Sequence, residues 1–160
     1  NSYKVNIFTI LMFGNLLSNF CFVVIRRLGG IDTEQSYPYV ASQQAQCKYN
    51  PKTSAAQVLG WFDLQNSEID VQYTVANKGP LAIGVQGDTF QLYNNGIIAS
   101  CGGRINHAVT IVGYGTDQNG TEFYNIKNSW GANWGEKGYV RVIRNKQACG
   151  IGQLSTLPVV

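Results

Sequence analysis

The sequence is poor in charged residues and lacks the closely spaced cysteine pairs of metal-binding and redox proteins. Asp, Glu, Lys and Arg make up 13% of the 160 residues, whereas 44% are hydrophobic. This balance argues against a disordered chain and favours one globular domain. The four cysteines, at positions 21, 47, 101 and 149, form no Cys-x-x-Cys pair. They therefore predict neither a zinc site nor a redox motif, and no metal or organic cofactor is expected.

Basic charge is not gathered into a patch. The net charge is +3, and apart from Arg141, Arg144 and Lys146 the basic residues are scattered along the chain. A nucleic-acid-binding domain is expected to concentrate Lys and Arg on one face or in one segment. No nucleic-acid partner is therefore predicted.

The cysteines and one modification motif favour an oxidising compartment. Without metal-binding spacing, a disulfide is the expected use of cysteine. Asn119-Gly120-Thr121 is an acceptor sequence for N-linked glycosylation, a modification of secretory-pathway proteins. Both features are typical of proteins that fold outside the cytosol.

A long apolar segment precedes a change of composition at Gly29-Gly30. From Ile7 to Ile25, 14 of 19 residues are apolar, and as a helix they would extend about 28 Å, close to the hydrocarbon thickness of a bilayer. We therefore divide the chain into an apolar segment at 1–28 and a domain at 29–160. The segment has three interpretations: a membrane anchor through residues 7–25, a buried or signal-like helix, and an aberrant N-terminus from a truncated or misassembled reading frame.

The sequence around the apolar segment argues against an anchor and against a removable signal. No small-residue cleavage site follows it. Arg26-Arg27 follow it while only Lys4 precedes it, so the positive-inside tendency would leave the rest of the chain in the cytosol. That placement conflicts with the disulfide expected above. The chain begins at Asn1, which suggests a partial sequence.

Residues 67–78 have the signals of a short helix. Ser67 can cap the helix through its side-chain oxygen, with Asp70 three residues later. Ile69, Tyr73 and Ala76 recur at helical spacing until Gly79-Pro80 ends the segment.

The remainder predicts strands and therefore an α+β domain. Segments rich in β-branched and aromatic residues alternate with Gly and Asn clusters. The predicted strands are Leu81–Gln86, His107–Tyr114, Glu122–Lys127 and Tyr139–Ile143. Residues 117–120, Asp-Gln-Asn-Gly, predict a hairpin between the second and third of these strands. We expect an antiparallel sheet or barrel in which His107 and Asn128 lie at the same end of neighbouring strands.

Two motifs carry a resemblance to a known family. The first is the run 105–115, Ile-Asn-His-Ala-Val-Thr-Ile-Val-Gly-Tyr-Gly, and the second is the run 128–131, Asn-Ser-Trp-Gly. Together they resemble the papain-like cysteine proteases, most closely the cathepsin L type. Shorter matches follow the same order at residues 29–32, 36–39, 47–50, 79–81 and 149–151. The resemblance covers about 29–160 and nothing before it, and implies the second, β-barrel-like domain of the papain-like fold with a short helix. The apolar segment at 1–28 is expected to precede this domain as a helix.

The resemblance implies a catalytic role for two residues. His107 corresponds to the base that deprotonates the family's cysteine, and Asn128 to the amide that orients its imidazole. Trp130 corresponds to the indole that shelters their hydrogen bond, although simple core packing would also explain it. Four positions correspond to the wall that binds the second residue before the scissile bond: Gly84, Ile105, Ala108 and Leu154.

The resemblance also assigns the cysteines. Cys101 is expected to pair with Cys149. The family partner of Cys47 lies in the first half of the fold, so Cys47 is expected to be a free thiol or to bond another chain, with an inert buried thiol as the alternative. The family's nucleophile lies roughly 130 to 150 residues before its His and Asn, outside these 160 residues. Cys21 lacks the Cys-Gly-Ser-Cys-Trp signature and stands inside the apolar segment.

The resulting hypothesis is a cysteine peptidase domain that supplies His and Asn and is inactive alone. A peptide or protein substrate is expected once the missing domain completes the site, and the family implies a lysosomal or extracellular location. The alternative is a non-catalytic, membrane-tethered module that binds a peptide or a protease. A transferase using Cys-His-Asn chemistry on a related fold is a third and weaker alternative.

Overall fold

A computed structural model describes residues 18–38 and 46–160 of the chain. Its helices and strands form one α+β arrangement, as the sequence predicts. The helices are α1 (Ser18–Leu28) and α2 (Glu68–Asn77). The strands are β1 (Gly60–Leu64), β2 (Leu81–Val85), β3 (Ile97–Ile98), β4 (His107–Thr116), β5 (Glu122–Lys127), β6 (Tyr139–Ile143) and β7 (Ser155–Val159).

All seven strands of the described residues belong to one open sheet. Their order is β1-β7-β2-β4-β5-β6-β3, and every pairing is antiparallel except that of β3 with β6. The expected antiparallel sheet is therefore confirmed for six strands, but the closed barrel is not. The sheet stays open because its edge strands are β1 and the two-residue β3, which do not pair with one another.

Helix α2 forms where the sequence predicts it. The backbone N–H of Asp70 donates to Ser67 Oγ at 3.2 Å, which caps the first turn. The buried residues are Glu68, Val71 and Thr74, whereas Ile69 and Tyr73 are exposed. The apolar residues whose spacing indicates the helix therefore lie on its solvent-facing side.

The hairpin between β4 and β5 is confirmed together with its turn chemistry. Asp117 Oδ1 accepts the backbone N–H of Asn119 at 2.9 Å and that of Thr121 at 2.8 Å. Gly120 has a φ of +81°, a conformation that glycine adopts without strain. Because the turn is short and the strands are antiparallel, the first residue of β4 lies beside the residue that follows β5.

The main core lies on the inner face of β2, β4, β5 and β6. Its fully buried side chains include Val85, Ile111, Tyr124 and Val140, and α2 contributes Val71. The Tyr124 hydroxyl donates to the carbonyl of Glu68 at 3.1 Å, so the buried phenol fastens α2 to the sheet.

A second, smaller cluster joins α1 to the sheet. Phe22 and Ile25 pack with Ile31, Val58 and Ala82, while Arg26 and Arg27, in the last turn of the helix, are exposed. Residues 18–28 therefore pack against the domain that begins at residue 29. The rest of the expected helix at 7–25, residues 7–17, lies outside the described residues, so the anchor and the separate status of 1–28 stay predictions. Of the helices in 18–38 and 46–160, none is long and apolar enough to cross a bilayer.

Candidate active site

The structure brings His107 and Asn128 into hydrogen-bond contact. His107 opens β4, and Asn128 follows β5 directly. The hairpin places them side by side, with 2.8 Å between His107 Nε2 and Asn128 Oδ1. The sequence-based expectation that they lie at one end of neighbouring strands is therefore met.

The amide of Asn128 is held with its oxygen towards the imidazole. The side chain is 4% exposed, and its Oδ1 also accepts the backbone N–H of Ser129 at 2.8 Å. An amide oxygen only accepts hydrogen bonds, so in the bond between Asn128 Oδ1 and His107 Nε2 the imidazole is the donor. Nε2 therefore carries the proton. This tautomer leaves Nδ1 as the unprotonated nitrogen, able to take up a proton.

Trp130 covers the bond between His107 and Asn128. Its indole stacks on the imidazole with ring centroids 4.9 Å apart and an interplanar angle of 29°. The indoles of Trp130 and Trp134 meet edge to face, with ring centroids 5.1 Å apart. Trp134 Nε1 in turn donates a hydrogen bond to the carbonyl of Phe90 at 3.1 Å. Trp130 therefore packs on the core and excludes water from the pair at the same time, which strengthens the hydrogen bond.

The surroundings of His107 favour its neutral form. Burial lowers the pKa of His107 below its ordinary value, because a charged imidazolium loses hydration there, and the hydrogen bond with Asn128 partly offsets this effect. A neutral imidazole at neutral pH is the form that a general base requires.

The four expected wall residues also come together. Gly84 pairs with Ala108 across β2 and β4, and its N–H donates to the carbonyl of Leu154 at 2.8 Å. A Cβ placed on Gly84 would lie 2.8 Å from Ile105 Cγ2 and 3.2 Å from Leu154 Cβ. The side chains of Ile105 and Leu154 therefore pack directly on the Cα of Gly84, and together they form an apolar wall.

Sequence reasoning missed Gly87, which touches the base directly. A Cβ on Gly87 would lie 2.4 Å from His107 Cβ, so no larger residue fits without a shift of the backbone. In the sequence, Gly87 follows a predicted strand and is typical of a turn. The contact between Gly87 and His107 becomes evident only from the pairing of β2 with β4, which brings these two residues together although they are twenty positions apart.

The cysteines divide into a bonded pair and two thiols in different surroundings. Cys101 and Cys149 form a disulfide, 48 residues apart in sequence. Cys47 is exposed and outside the disulfide, so the alternative of a buried thiol is wrong. Cys21 is buried, and burial raises the pKa of its thiol, which disfavours the thiolate that a nucleophile needs.

The remaining expected site is the glycosylation motif. Asn119 is exposed at the tip of the β4–β5 hairpin, at the end remote from His107. Within 18–38 and 46–160, no group of three or more His, Cys, Asp and Glu side chains is placed to hold a metal ion.

Comparisons with known proteins agree with this geometry. The papain family of cysteine proteases matches residues 14–159. A cathepsin L-like proteinase of Fasciola hepatica is 44% identical over 137 residues, covering 82% of this chain and 41% of the relative. Procathepsin L of Felis catus is 38% identical over 156 residues, covering 92% and 46%.

Solved structures show the same fold. The bromelain protease of Ananas comosus, in complex with the inhibitor E64, superposes with a TM-score of 0.82 at 36% identity, covering 89% of this chain and 68% of that one. Digestive procathepsin L 3 of Tenebrio molitor gives a TM-score of 0.81 at 34% identity, covering 89% and 48%. The chain spans less than half the length of the two curated relatives named above.

The family match corrects the extent of the resemblance. It begins at residue 14 rather than 29, so it includes α1, whose Phe22 and Ile25 are buried against the sheet. The burial of Phe22 and Ile25 against the sheet accounts for their apolar character. By the match over 14–159, the shared fold and the cathepsin L-like relatives, the chain belongs to the papain family of cysteine proteases.

Proposed function

We propose that this chain supplies the base and the orienting amide of a cathepsin L-like cysteine peptidase. The observation that supports the proposal best is the 2.8 Å contact between His107 Nε2 and Asn128 Oδ1 beneath the Trp130 indole. That contact leaves Nδ1 of a neutral imidazole available to a thiol. Peptides and proteins are the substrates that this family assignment implies.

In the completed site, His107 acts as base and then as acid. Nδ1 takes the proton of the cysteine thiol, and the thiolate attacks the scissile carbonyl carbon. The imidazolium then returns its proton to the leaving amine, the C–N bond breaks and an acyl-thioester remains. Water, deprotonated by the same nitrogen, hydrolyses the thioester and regenerates the thiol. Asn128 holds the ring in one orientation throughout.

We also propose that the 160 residues are inactive by themselves. Cys101 and Cys149 have no thiol to act as nucleophile because they form a disulfide. Cys21 is buried in α1. Cys47 is exposed but stands in a loop without the Cys-Gly-Ser-Cys-Trp signature. The nucleophile then comes from the N-terminal half of the fold, which the relatives contain and this sequence does not.

Complementation tests this function. The purified chain is mixed with a separately produced N-terminal half that carries the Cys-Gly-Ser-Cys-Trp segment, and hydrolysis of a fluorogenic dipeptide is followed. We expect turnover from the mixture only, sensitive to an epoxide thiol trap. In the mixture, His107→Ala should lower kcat by on the order of 10³-fold and Asn128→Ala by roughly 10²-fold.

An exposed amide serves as the matched control. Asn94→Ala removes a solvent-exposed amide and should leave kcat unchanged. Trap-sensitive turnover by the chain alone would contradict inactivity. A mixture whose halves associate but do not turn over would contradict the role of His107 and Asn128.

The only histidine of the chain gives a second test. When the N-terminal half binds, a thiolate close to Nδ1 should stabilise the imidazolium and raise the pKa of His107. The pKa is measured by ¹⁵N NMR in the isolated chain and in the complex. A half in which the cysteine is replaced by serine is the control, and it should give no rise.

The substrate preference proposed here is a hydrophobic residue two positions before the scissile bond. The wall formed by Gly84, Ile105, Ala108 and Leu154 is apolar, and Ile105 and Leu154 pack on Gly84 because it lacks a side chain. Gly84→Ala would displace Ile105 and Leu154, so kcat/KM for a substrate with Leu or Phe at that position should change relative to one with Ala, by roughly 10-fold. Gly60→Ala, where nothing lies within 4 Å of the added Cβ, is the control. An unchanged ratio would exclude this wall from the substrate site.

A lysosomal or extracellular location is proposed with glycosylation at Asn119. The disulfide and the exposed hairpin tip support it. Directed into microsomes by an appended signal peptide, the chain should gain one glycan that Asn119→Gln abolishes. A chain that enters the microsomes unglycosylated would rule out modification at Asn119.

A further inference from the structure

A polar bridge lies directly behind the catalytic base. Asn106 precedes His107, and three hydrogen bonds fasten it to the end of β2 and to the 3-10 turn after it. Its backbone N–H donates to the carbonyl of Val85 at 3.1 Å. Its Oδ1 accepts the N–H of Gly87 at 2.9 Å, and its Nδ2 donates to Asp88 Oδ1 at 2.7 Å.

The bridge presses one backbone segment against the base. Gly87, held by Asn106, is the residue whose Cα lies against His107 Cβ, where an added Cβ would be only 2.4 Å away. Trp130 covers the ring and Asn128 holds Nε2. His107 is therefore confined at its Cβ by Gly87, at its ring face by Trp130 and at one nitrogen by Asn128.

The carboxylate of Asp88 fixes the direction of the Asn106 amide. A carboxylate only accepts hydrogen bonds, and a backbone N–H only donates them. Asn106 can satisfy both neighbours only with Oδ1 towards Gly87 and Nδ2 towards Asp88. The other carboxylate oxygen, Asp88 Oδ2, lies against Gly103, where an added Cβ would be 3.2 Å from it. Without Asp88 only the Gly87 N–H holds this amide, so the link between Asn106 and Gly87 loses one of its two side-chain hydrogen bonds.

We propose that Asp88 is a positioning residue for the base, acting on His107 through Asn106 and Gly87. The inference rests on the proposed function of His107, but the geometry it predicts exists in the isolated chain. Asp88 hydrogen-bonds Asn106, whereas His107 is contacted by Gly87, Trp130 and Asn128. The effect of Asp88 is to keep the His107 ring in the one orientation in which Nδ1 faces outward.

The ring signals of the single histidine test this proposal without any enzymatic assay. Stacking on Trp130 should displace the His107 Hδ2 and Hε1 resonances by ring current, and Trp130→Ala gives their values without the stack. Asp88→Ala should move both resonances towards the Trp130→Ala values or broaden them. Asp88→Asn, which keeps an acceptor oxygen for Asn106 Nδ2, should restore the wild-type positions.

Two further variants keep the result interpretable. Asn106→Asp keeps the acceptor for Gly87 but removes the donor to Asp88, so it should reproduce the effect of Asp88→Ala. Asp70→Ala removes an exposed acid on α2 and should leave the resonances unchanged. Wild-type His107 signals in folded Asp88→Ala would overturn the proposal. So would wild-type signals in Asn106→Asp if Asp88→Ala does not fold.

In the complemented enzyme, the expected signature is a loss of kcat without a change in KM. A base held in the wrong orientation weakens only the transition state. Asp88→Ala should therefore lower kcat by roughly 10-fold, and Asp88→Asn should recover it. If complementation fails but the NMR signals change as expected, the proposed peptidase function is contradicted and the positioning of His107 by Asp88 is supported.

Discussion

His107 is the only histidine in the chain, and it is held neutral by its surroundings rather than by another charge. Burial lowers its pKa first, and the bond to Asn128 raises it by a smaller amount. The unfolded chain takes up the same proton at the ordinary value of 6.5. Between that value and the lower folded pKa, the unfolded state binds more protons than the folded state.

Stability should therefore fall as the pH drops. The contribution of His107 is fully present above about pH 6.5, and it is lost progressively below that pH until the folded pKa is reached. Urea unfolding at a series of pH values from about 7.5 to 5 measures this slope. His107→Gln should flatten it in this window. An equal slope in His107→Gln would assign the effect to carboxylates instead.

At the scale of single residues, sequence reasoning identified the chemistry but not its supports. His107, Asn128 and Trp130 stand in motifs that can be read from residues next to one another. Gly87 and Asp88 cannot be found in this way, because their contacts depend on the register between β2 and β4. The signal would have been visible only after strand pairing was assigned.

Among the elements, helix α2 is joined by a buried carboxylate to the loop that follows β6. Glu68 is 8% exposed, and its two oxygens accept the backbone N–H groups of Asn145 and Gln147, each at 2.7 Å. Both of these residues have positive φ, at 64° and 51°. The carboxylate thus satisfies two donors of a strained turn that leads into Cys149.

Removing this carboxylate should destabilise the domain. Glu68→Ala leaves two part-buried N–H groups without acceptors, and we expect a loss of about 1 kcal/mol in the free energy of unfolding. Asp70→Ala is the control, because Asp70 lies two residues after Glu68 in the same helical turn and is exposed. Chemical denaturation with an unchanged m-value measures the difference. Equal stability of the two variants would show that water replaces the carboxylate.

The disulfide connects the same loop to the segment before β4. In the chain-entropy model, closing a 48-residue loop contributes roughly 4 kcal/mol. Replacing Cys101 and Cys149 together by serine should lower the free energy of unfolding by about this amount, and Cys47→Ser should leave it unchanged because Cys47 is exposed. Thermal unfolding of the three forms compares them. A Cys47→Ser variant as unstable as the double variant would contradict this expectation.

The elements that the sequence predicts are those with strong local signals. Helix α2 has a cap and a Gly-Pro stop, and β4 and β5 share a turn with fixed chemistry. Strands β1 and β7 were not predicted, because β7 contains Pro158 and their pairing joins positions about a hundred residues apart. Residues 7–25 kept three interpretations, an anchor, a buried or signal-like helix and an aberrant N-terminus, because composition alone does not show that Phe22 and Ile25 have partners in the sheet.

For the molecule as a whole, apolar side chains remain uncovered in several places. Phe62, Ile69, Tyr73 and Leu92 are each more than 60% exposed. Such a surface favours association in water. The isolated chain should bind a hydrophobic dye and aggregate at concentrations at which the complemented pair stays monomeric. Light scattering and dye fluorescence, with and without the N-terminal half, measure this, and equal dye binding in both cases would count against a covered face.

The segment at 31–60 should open before the sheet does. Of its described residues, Ile31 forms an isolated bridge with Ala56, and Asp32 accepts hydrogen bonds from Asn50 and Thr53. These few bonds contrast with the continuous ladders of β4, β5 and β6. Amide exchange should be faster at Ile31 and Ala56 than in β5. Equal protection would mean that one cooperative unit includes both.

The position of β7 has a consequence for the order in which the domain can form. This strand is the last along the chain, yet it lies inside the sheet, between β1 and β2. During synthesis, β1 therefore waits about ninety residues for its partner, exposed to chaperones and to other chains. Without residues 155–159, the sheet has a gap between β1 and β2, and β1 is separated from the other strands.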